Sequence, residues 1–172
     1  MARADRDAEF TEYLRARSGW LCRVAYLLCG DWHRADDLAQ AAAVRLYRRW
    51  NRVSQADNID GYARRVLVNV YLDEQRTAWS RFTFLHRDTI EREAPALDAD
   101  ASLDLRAALE RLAPRQRATV VLRYYCDLSV EQTAEVLGCS PGNVKSQTAR
   151  ALTRLRVLLS PASAIELEGI TR

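Results

Sequence analysis

A chain of 172 residues, 48% hydrophobic and 28% charged, has the make-up of one folded domain or two small ones and excludes a disordered, low-complexity protein. Its formal net charge of +3 is too small to signal a nucleic-acid partner by itself. No apolar run approaches the ~20 residues of a membrane span, and the charged start Met1 to Glu9 is unlike a signal peptide, so a cytoplasmic location is expected.

The first apolar periodicity runs from Ala8 to Leu28, with Phe10, Leu14, Leu21, Ala25 and Leu28 on or near one face. Ser18-Gly19 is expected to break or bend it into two helices, and Gly30-Asp31 to close it. A helix from about Arg34 to Trp50 follows. Asp36 and Asp37 near its start and Arg45, Arg48 and Arg49 near its end suit the helix dipole. Asn51 to Asn58 reads as a polar loop. A long helix then runs from about Asp60 to about Thr77, with Tyr62, Val66 and Val70 in its core stripe. The pattern fails between Trp79 and Ala101, where Glu91-Arg92-Glu93-Ala94-Pro95 and Asp98-Ala99-Asp100 look like a linker. Helices are expected again at Ser102–Leu112, Pro114–Tyr125, Val130–Leu137 and Pro141–Leu159.

No useful β-alternation occurs. The expected fold is all-α: two small helical domains, 7–78 and 102–159, joined by a flexible acidic linker, 79–101, and followed by a short tail, 160–172. In the tail, Ile165, Leu167 and Ile170 are interrupted by Glu166 and Glu168. It could pack on the second domain, bind a partner or fray.

The densest local signal lies between Leu128 and Ser146. Ser129 followed by Gln132 is a capping box, in which each side chain satisfies an orphan amide of the new helix. Gly138 can take the left-handed conformation that ends a helix. Ser140 caps the next helix, and Pro141 sits at its first position, where a missing N–H is harmless. Ala134 is small enough for close helix packing, and Val144 points back into the angle between the helices. This is a helix-turn-helix. At 3.6 residues per turn, Asn143, Ser146, Gln147, Arg150 and Arg154 share the outer face of the second helix, opposite Val144, Thr148, Ala151, Leu152 and Leu155. Side chains of these types reach base edges and phosphates.

Nothing in the chain points to catalysis. There is no phosphate-binding glycine loop, nucleophile elbow or convergent acid pair. Cys22, Cys29, Cys126 and Cys139 lack metal-ligand spacing, and His33 and His86 are isolated, so no metal or cofactor is expected. The thiols suit a reducing compartment. Cys126 and Cys139 flank the helix-turn-helix, as buried structural thiols or as a redox-sensitive pair.

The second half resembles region 4 of the extracytoplasmic-function sigma factors of bacterial RNA polymerase. The resembling text is Leu109 to Arg117, Val121 to Tyr125, Glu135 to Ser146 and Arg150 to Arg156, with Asn143 where the family usually has Thr. The first half resembles region 2, through Ala35-Asp36-Asp37-Leu38-Ala39-Gln40, Arg45-Leu46-Tyr47 and Tyr62 to Arg76. The resemblance implies a sigma factor that binds core polymerase and promoter DNA. Asp36, Asp37, Leu38 and Gln40 would dock on the clamp helices of the β′ subunit, and the β flap would pack on the second half. Trp50, Asn51, Arg52, Asn69, Asp73 and Arg76 would contact the −10 element, the loop after Trp50 holding a flipped base. Asn143, Lys145, Ser146, Gln147, Arg150 and Arg154 would meet the −35 element. An anti-sigma factor is a further candidate partner.

Other readings of the same residues stay open. Trp50, Tyr62 and Tyr71 are suited either to the core or to stacking on bases. Arg64 and Arg65 suit a solvated face or the DNA backbone. Arg111, Arg115 and Arg117 suit phosphates or polymerase. The rival function is an autonomous helix-turn-helix repressor or activator that needs no polymerase, although the chain shows no separate dimerisation helix for a palindromic site.

Overall fold

The computed structural model describes the backbone of residues 3–85 and 101–159 and the side chains of 4–78 and 105–159. The regular structure among the described residues is helical: α1 Arg3–Cys29, α2 Trp32–Tyr47, α3 Trp50–Val53, α4 Ile59–Leu85, α5 Ala101–Glu110, α6 Pro114–Val120, a π-helical turn at Val121–Tyr125, α7 Val130–Leu137 and α8 Pro141–Leu158. The tail and most of the acidic linker lie outside the described residues, as does His86.

Three boundaries differ from the sequence reading. Helix α1 is continuous through Ser18-Gly19. An interior glycine costs about 1 kcal/mol relative to alanine, but Leu21, Val24 and Leu28 beyond it are completely buried, and each such side chain contributes roughly 1.5–3 kcal/mol. Burial wins over propensity. Helix α4 runs on to Leu85 rather than stopping near Thr77, so the linker begins later than expected. Helix α2 begins at Trp32, because the Asp31 carboxylate accepts a hydrogen bond from the Arg34 N–H at 2.8 Å. Asp36 and Asp37 therefore sit beyond the first turn, and a dipole-compensating role no longer accounts for them.

Helices α1, α2 and α4 pack on one another, with α3 closing the end. Leu21, Val24, Leu28, Leu38, Leu46, Val53, Leu67, Val68 and Tyr71 fill the space between them. The same core continues into the second half through Ala118, Val121, Leu122, Leu128, Val136 and Leu137. A smaller cluster, with Leu109, Leu112, Val120, Ala151 and Leu155 at its centre, holds α5 and α6 to α8.

The seam between the halves is also polar. Arg117 is 9% exposed. Its Nη1 donates to the Leu28 carbonyl at 2.7 Å, and its Nη2 donates to the carbonyls of Glu110 and Leu112. Those carbonyls end α1 and α5, where no helical N–H remains to pair with them. Arg106 adds a bond to the Gly30 carbonyl at 3.0 Å. Gly30 has φ +76, a left-handed conformation that favours glycine, and a Cβ there would also require the flexible Glu110 side chain to move aside.

Candidate functional site

The helix-turn-helix is built as its sequence requires. Ser129 Oγ accepts from the Gln132 N–H at 3.1 Å, and Gln132 Oε1 accepts from the Ser129 N–H at 2.9 Å. Gly138 ends α7 at φ 60, ψ 46, with the Cys139 N–H donating to the Ala134 carbonyl at 3.0 Å. Ser140 Oγ then accepts from the Asn143 N–H at 3.2 Å and opens α8. Val144 is completely buried against α7, with Ala151 and Leu155 continuing the stripe.

That packing decides which face of α8 is outside. Asn143, Lys145, Ser146, Arg150 and Arg154 are exposed and Gln147 is half-buried. Arg150 and Arg154 make no salt bridge among the described residues. Between them and Gln116 of α6 lies an open groove of about 690 Å³ whose lining is mainly apolar.

In the first half, the outer face of α2 carries Asp36, Asp37 and Gln40, all exposed. Gln40 Nε2 donates to Asp36 Oδ2 at 2.8 Å, while Asp37 has no side-chain partner among the described residues. Leu38 does not belong to this surface. It is 3% exposed and packs inward, because it lies two residues, about 200° around the helix, from both Asp36 and Gln40. Two residues that the sequence reading passed over do share the outer face: Trp32 is 54% exposed and Val44 is 53% exposed. Trp32 stacks on Tyr26 with ring centroids 4.0 Å apart. Spacing held the signal, since positions 32, 36, 40 and 44 recur every four residues.

The residues proposed from sequence for the −10 element divide. Asn51, Arg52, Asn69 and Arg76 are exposed and Asp73 is half-exposed. Trp50 is not available to DNA. It is 1% exposed, its indole N–H donates to Glu9 Oε2 at 3.2 Å, and Phe10 and Tyr13 pack on its ring at 5.1 Å. The expected polar loop also starts with a helical turn, α3, and it is this turn that pushes Trp50 and Val53 inward. Tyr71 is likewise core, and burial pushes its phenol pKa up. Tyr62 is half-buried and its hydroxyl accepts from Arg49 at 3.3 Å.

Asp73 accepts from Arg45 Nη1 at 3.1 Å and forms a close pair with Arg76 one turn along. The Arg76 bond chiefly, and Arg45 after it, hold the Asp73 carboxyl below the usual carboxylate range. Other candidate cations are engaged too. Arg117 is the seam residue already described, Arg115 Nη2 donates to the Leu137 carbonyl at 3.3 Å, and Arg64 lies over the Trp20 ring at 5.2 Å. Each of these arginines thus has a contact within the fold, and only Arg117 is buried by it. Burial raises the thiol pKa of Cys22, Cys29 and Cys126, and none of the four cysteines is joined in a disulfide. No group of three metal-ligating side chains and no helix long and apolar enough to cross a membrane occurs among the described residues.

The helical bundle and the helix-turn-helix, each with an exposed polar face, coincide with the two family matches that place this chain in the sigma-70 class. Residues 13–81 match the family model for sigma-70 region 2, and residues 102–155 match that for sigma-70 region 4. The RNA polymerase sigma-E factor of Streptomyces coelicolor is 42% identical over 154 residues, covering 86% of this chain and 84% of that one. The sigma factor SigE of Mycolicibacterium smegmatis is 32% identical over 161 residues, covering 89% of this chain and 62% of its own length. A solved sigma factor from Bartonella quintana, in complex with its anti-sigma factor, superimposes with a TM-score of 0.71 at 25% identity over 88% of this chain and 96% of that one. The chain belongs to the extracytoplasmic-function sigma factors, and is an RNA polymerase sigma factor. The family are transcription initiation factors rather than enzymes.

Proposed function

We propose a division of labour among the faces described above, in a cytoplasmic protein that confers promoter choice on bacterial core RNA polymerase. The outer face of α2, with Asp36, Asp37 and Gln40, docks on the β′ clamp helices, and Trp32 and Val44 extend that contact with apolar surface. Asn51, Arg52, Asn69, Asp73 and Arg76 meet the −10 element. Asn143, Lys145, Ser146, Gln147, Arg150 and Arg154 meet the −35 element from the major groove, while the β flap packs on the second half. Unstacking a base costs a few kcal/mol, and with Trp50 in the core its offset falls to exposed polar groups around α3 and α4. The relatives seen with anti-sigma factors make such a protein a partner for this chain as well.

The observation that carries this reading is the α8 face. Arg150 and Arg154 stand exposed without a salt bridge among the described residues, while Val144, Ala151 and Leu155 fix the helix from behind. Copurification with core polymerase separates the reading from an autonomous repressor. The chain is expected to bind core with submicromolar affinity and Asp37→Arg to lose at least tenfold, since a like-charge reversal in an interface costs over 1.4 kcal/mol. DNA binding with no measurable affinity for core would leave the repressor.

A further inference from the structure

We infer that Tyr13 of α1 is a positioning residue for the stretch 51–58, tying its two feet together so that it meets a −10 base in one fixed shape. The DNA part rests on the −10 reading given above; the tying of the feet does not. The stretch leaves the bundle at Trp50 and returns at Asn58, whose Oδ1 accepts from the Gly61 N–H at 2.7 Å and opens α4. Between the feet, Asn51, Arg52, Gln55, Ala56 and Asp57 are exposed and Val53 is buried. A segment so exposed takes its shape from what holds its ends.

Both ends are held by α1. At the first foot the Tyr13 ring packs on the Trp50 indole with centroids 5.1 Å apart, beside Glu9 and Phe10. At the second, the Tyr13 hydroxyl donates to Asp60 Oδ1 at 3.1 Å, and Arg17 Nη2 pairs with Asp60 Oδ2 at 2.8 Å. Glu9, Tyr13 and Arg17 recur every four residues and so share one face of α1. Tyr13 touches both feet through one stiff ring, and its O–H bond is strengthened by the charge on its acceptor. Arg49 Nη1 also reaches across to the Tyr62 hydroxyl at 3.3 Å, but that bond lies at the surface. Loss of the Tyr13 bond therefore loosens the stretch in part. A segment shaped beforehand loses less freedom on taking an unstacked base, and it refuses a wrong base that a looser one would accommodate.

The experiment pairs hydrogen exchange on the full chain with anisotropy titrations of its holoenzyme. The probes are a nontemplate-strand −10 oligonucleotide from a promoter the holoenzyme transcribes, and its single-base replacements. The N–H groups of Arg52, Val53, Ser54 and Ala56 bond to backbone carbonyls within 49–53, so their exchange reports on the stretch. Tyr13→Phe keeps the ring on Trp50 and removes only the bond to Asp60. It is expected to speed exchange over 52–56 by about three- to tenfold, the worth of one hydrogen bond, and to leave exchange at Leu67 to Tyr71 unchanged. Affinity for core should also stay the same. The parent oligonucleotide should bind more weakly by a similar factor and the replacements by less, so that discrimination between bases falls. Arg17→Ala leaves the bridge intact and should not loosen the stretch. Unchanged exchange over 52–56 in Tyr13→Phe overturns the proposal, and equal loosening by Arg17→Ala overturns the assignment to Tyr13. Equal weakening of every oligonucleotide, or no weakening while Arg52→Ala lowers affinity for the parent, also overturns it. If exchange speeds up and neither Asn51→Ala nor Arg52→Ala changes oligonucleotide affinity, the tie stands and the −10 reading fails.

Discussion

Helices α4 and α8 carry the two polar faces assigned to promoter DNA, and they differ in how far their charge is already engaged. On α4, Asp73 is held by Arg45 from α2 and by Arg76 from its own helix, so two cations beside the proposed −10 surface are tied to a carboxylate. On α8, Arg150 and Arg154 meet no acid among the described residues. The faces are also held differently. Helix α8 is fixed by local capping and by Val144, whereas α4 is fixed by a core that reaches across both halves of the molecule. A preorganised cationic face suits rigid docking in a duplex groove, while a self-paired face suits a surface that rearranges as strands separate.

The largest expected effect on this contrast comes from α8. Arg150→Glu with Arg154→Glu should lower −35 duplex affinity by about a hundredfold or more and reduce the magnitude of its salt dependence by roughly one slope unit per lost phosphate contact, read by anisotropy between 50 and 200 mM salt. Next is the seam that supports both faces. Arg117→Ala leaves the Leu28 and Glu110 carbonyls buried and unpaired and should cost about 3 kcal/mol of unfolding free energy in a denaturant titration. Arg117→Met, which keeps the length, should recover only the packing part.

A smaller change separates the two faces directly. Asp73→Asn frees Arg45 and Arg76, so single-stranded −10 DNA should bind a few-fold more tightly, while stability falls by less than about 1 kcal/mol because the pair is largely exposed. No such gain is expected from any acid near α8 within the described residues.

The smallest effects are pH effects. Because its folded-state pKa is depressed, Asp73 stabilises the fold above its unfolded value near 3.8, and the contribution disappears as pH falls through the folded value. Stability curves of the parent and Asp73→Asn should therefore converge in acid. Cys29 and Cys126 have the opposite sign. Their raised folded-state pKa leaves stability intact below the unfolded value of about 9.0 and removes it as pH rises through the folded one. Cys126→Ala should flatten part of that alkaline decline in a thermal-melt series.

The two faces also differed in how readable they were. The helix-turn-helix was legible almost atom by atom, because a capping box, a left-handed glycine and an N-terminal proline act over three or four residues of chain. Its outer face followed from 3.6-residue periodicity alone. What failed were statements about burial. Trp50, flanked by Arg48, Arg49 and Arg52, looks like a surface aromatic in sequence, and only the approach of Phe10 and Tyr13 from α1, some forty residues earlier, makes it core. Arg117 looks like another surface arginine until α1 and α5 end beside it. Leu38 was a failure of a different kind, since its position on α2 was calculable and the family motif drew it into the surface set. Asp31 is legible as a cap, three residues before the N–H from which it accepts, although beside Gly30 it also looks like the end of the preceding helix.

Run-off transcription with purified core polymerase, on a library of genomic promoter fragments, tests the central claim most directly. The account predicts promoter-specific transcripts from the parent chain, their loss with Asp37→Arg through failure to bind core, and their loss with Arg150→Glu while core binding persists. Transcripts that survive both substitutions, or an Arg150→Glu variant that initiates at the same promoters as the parent, would contradict it.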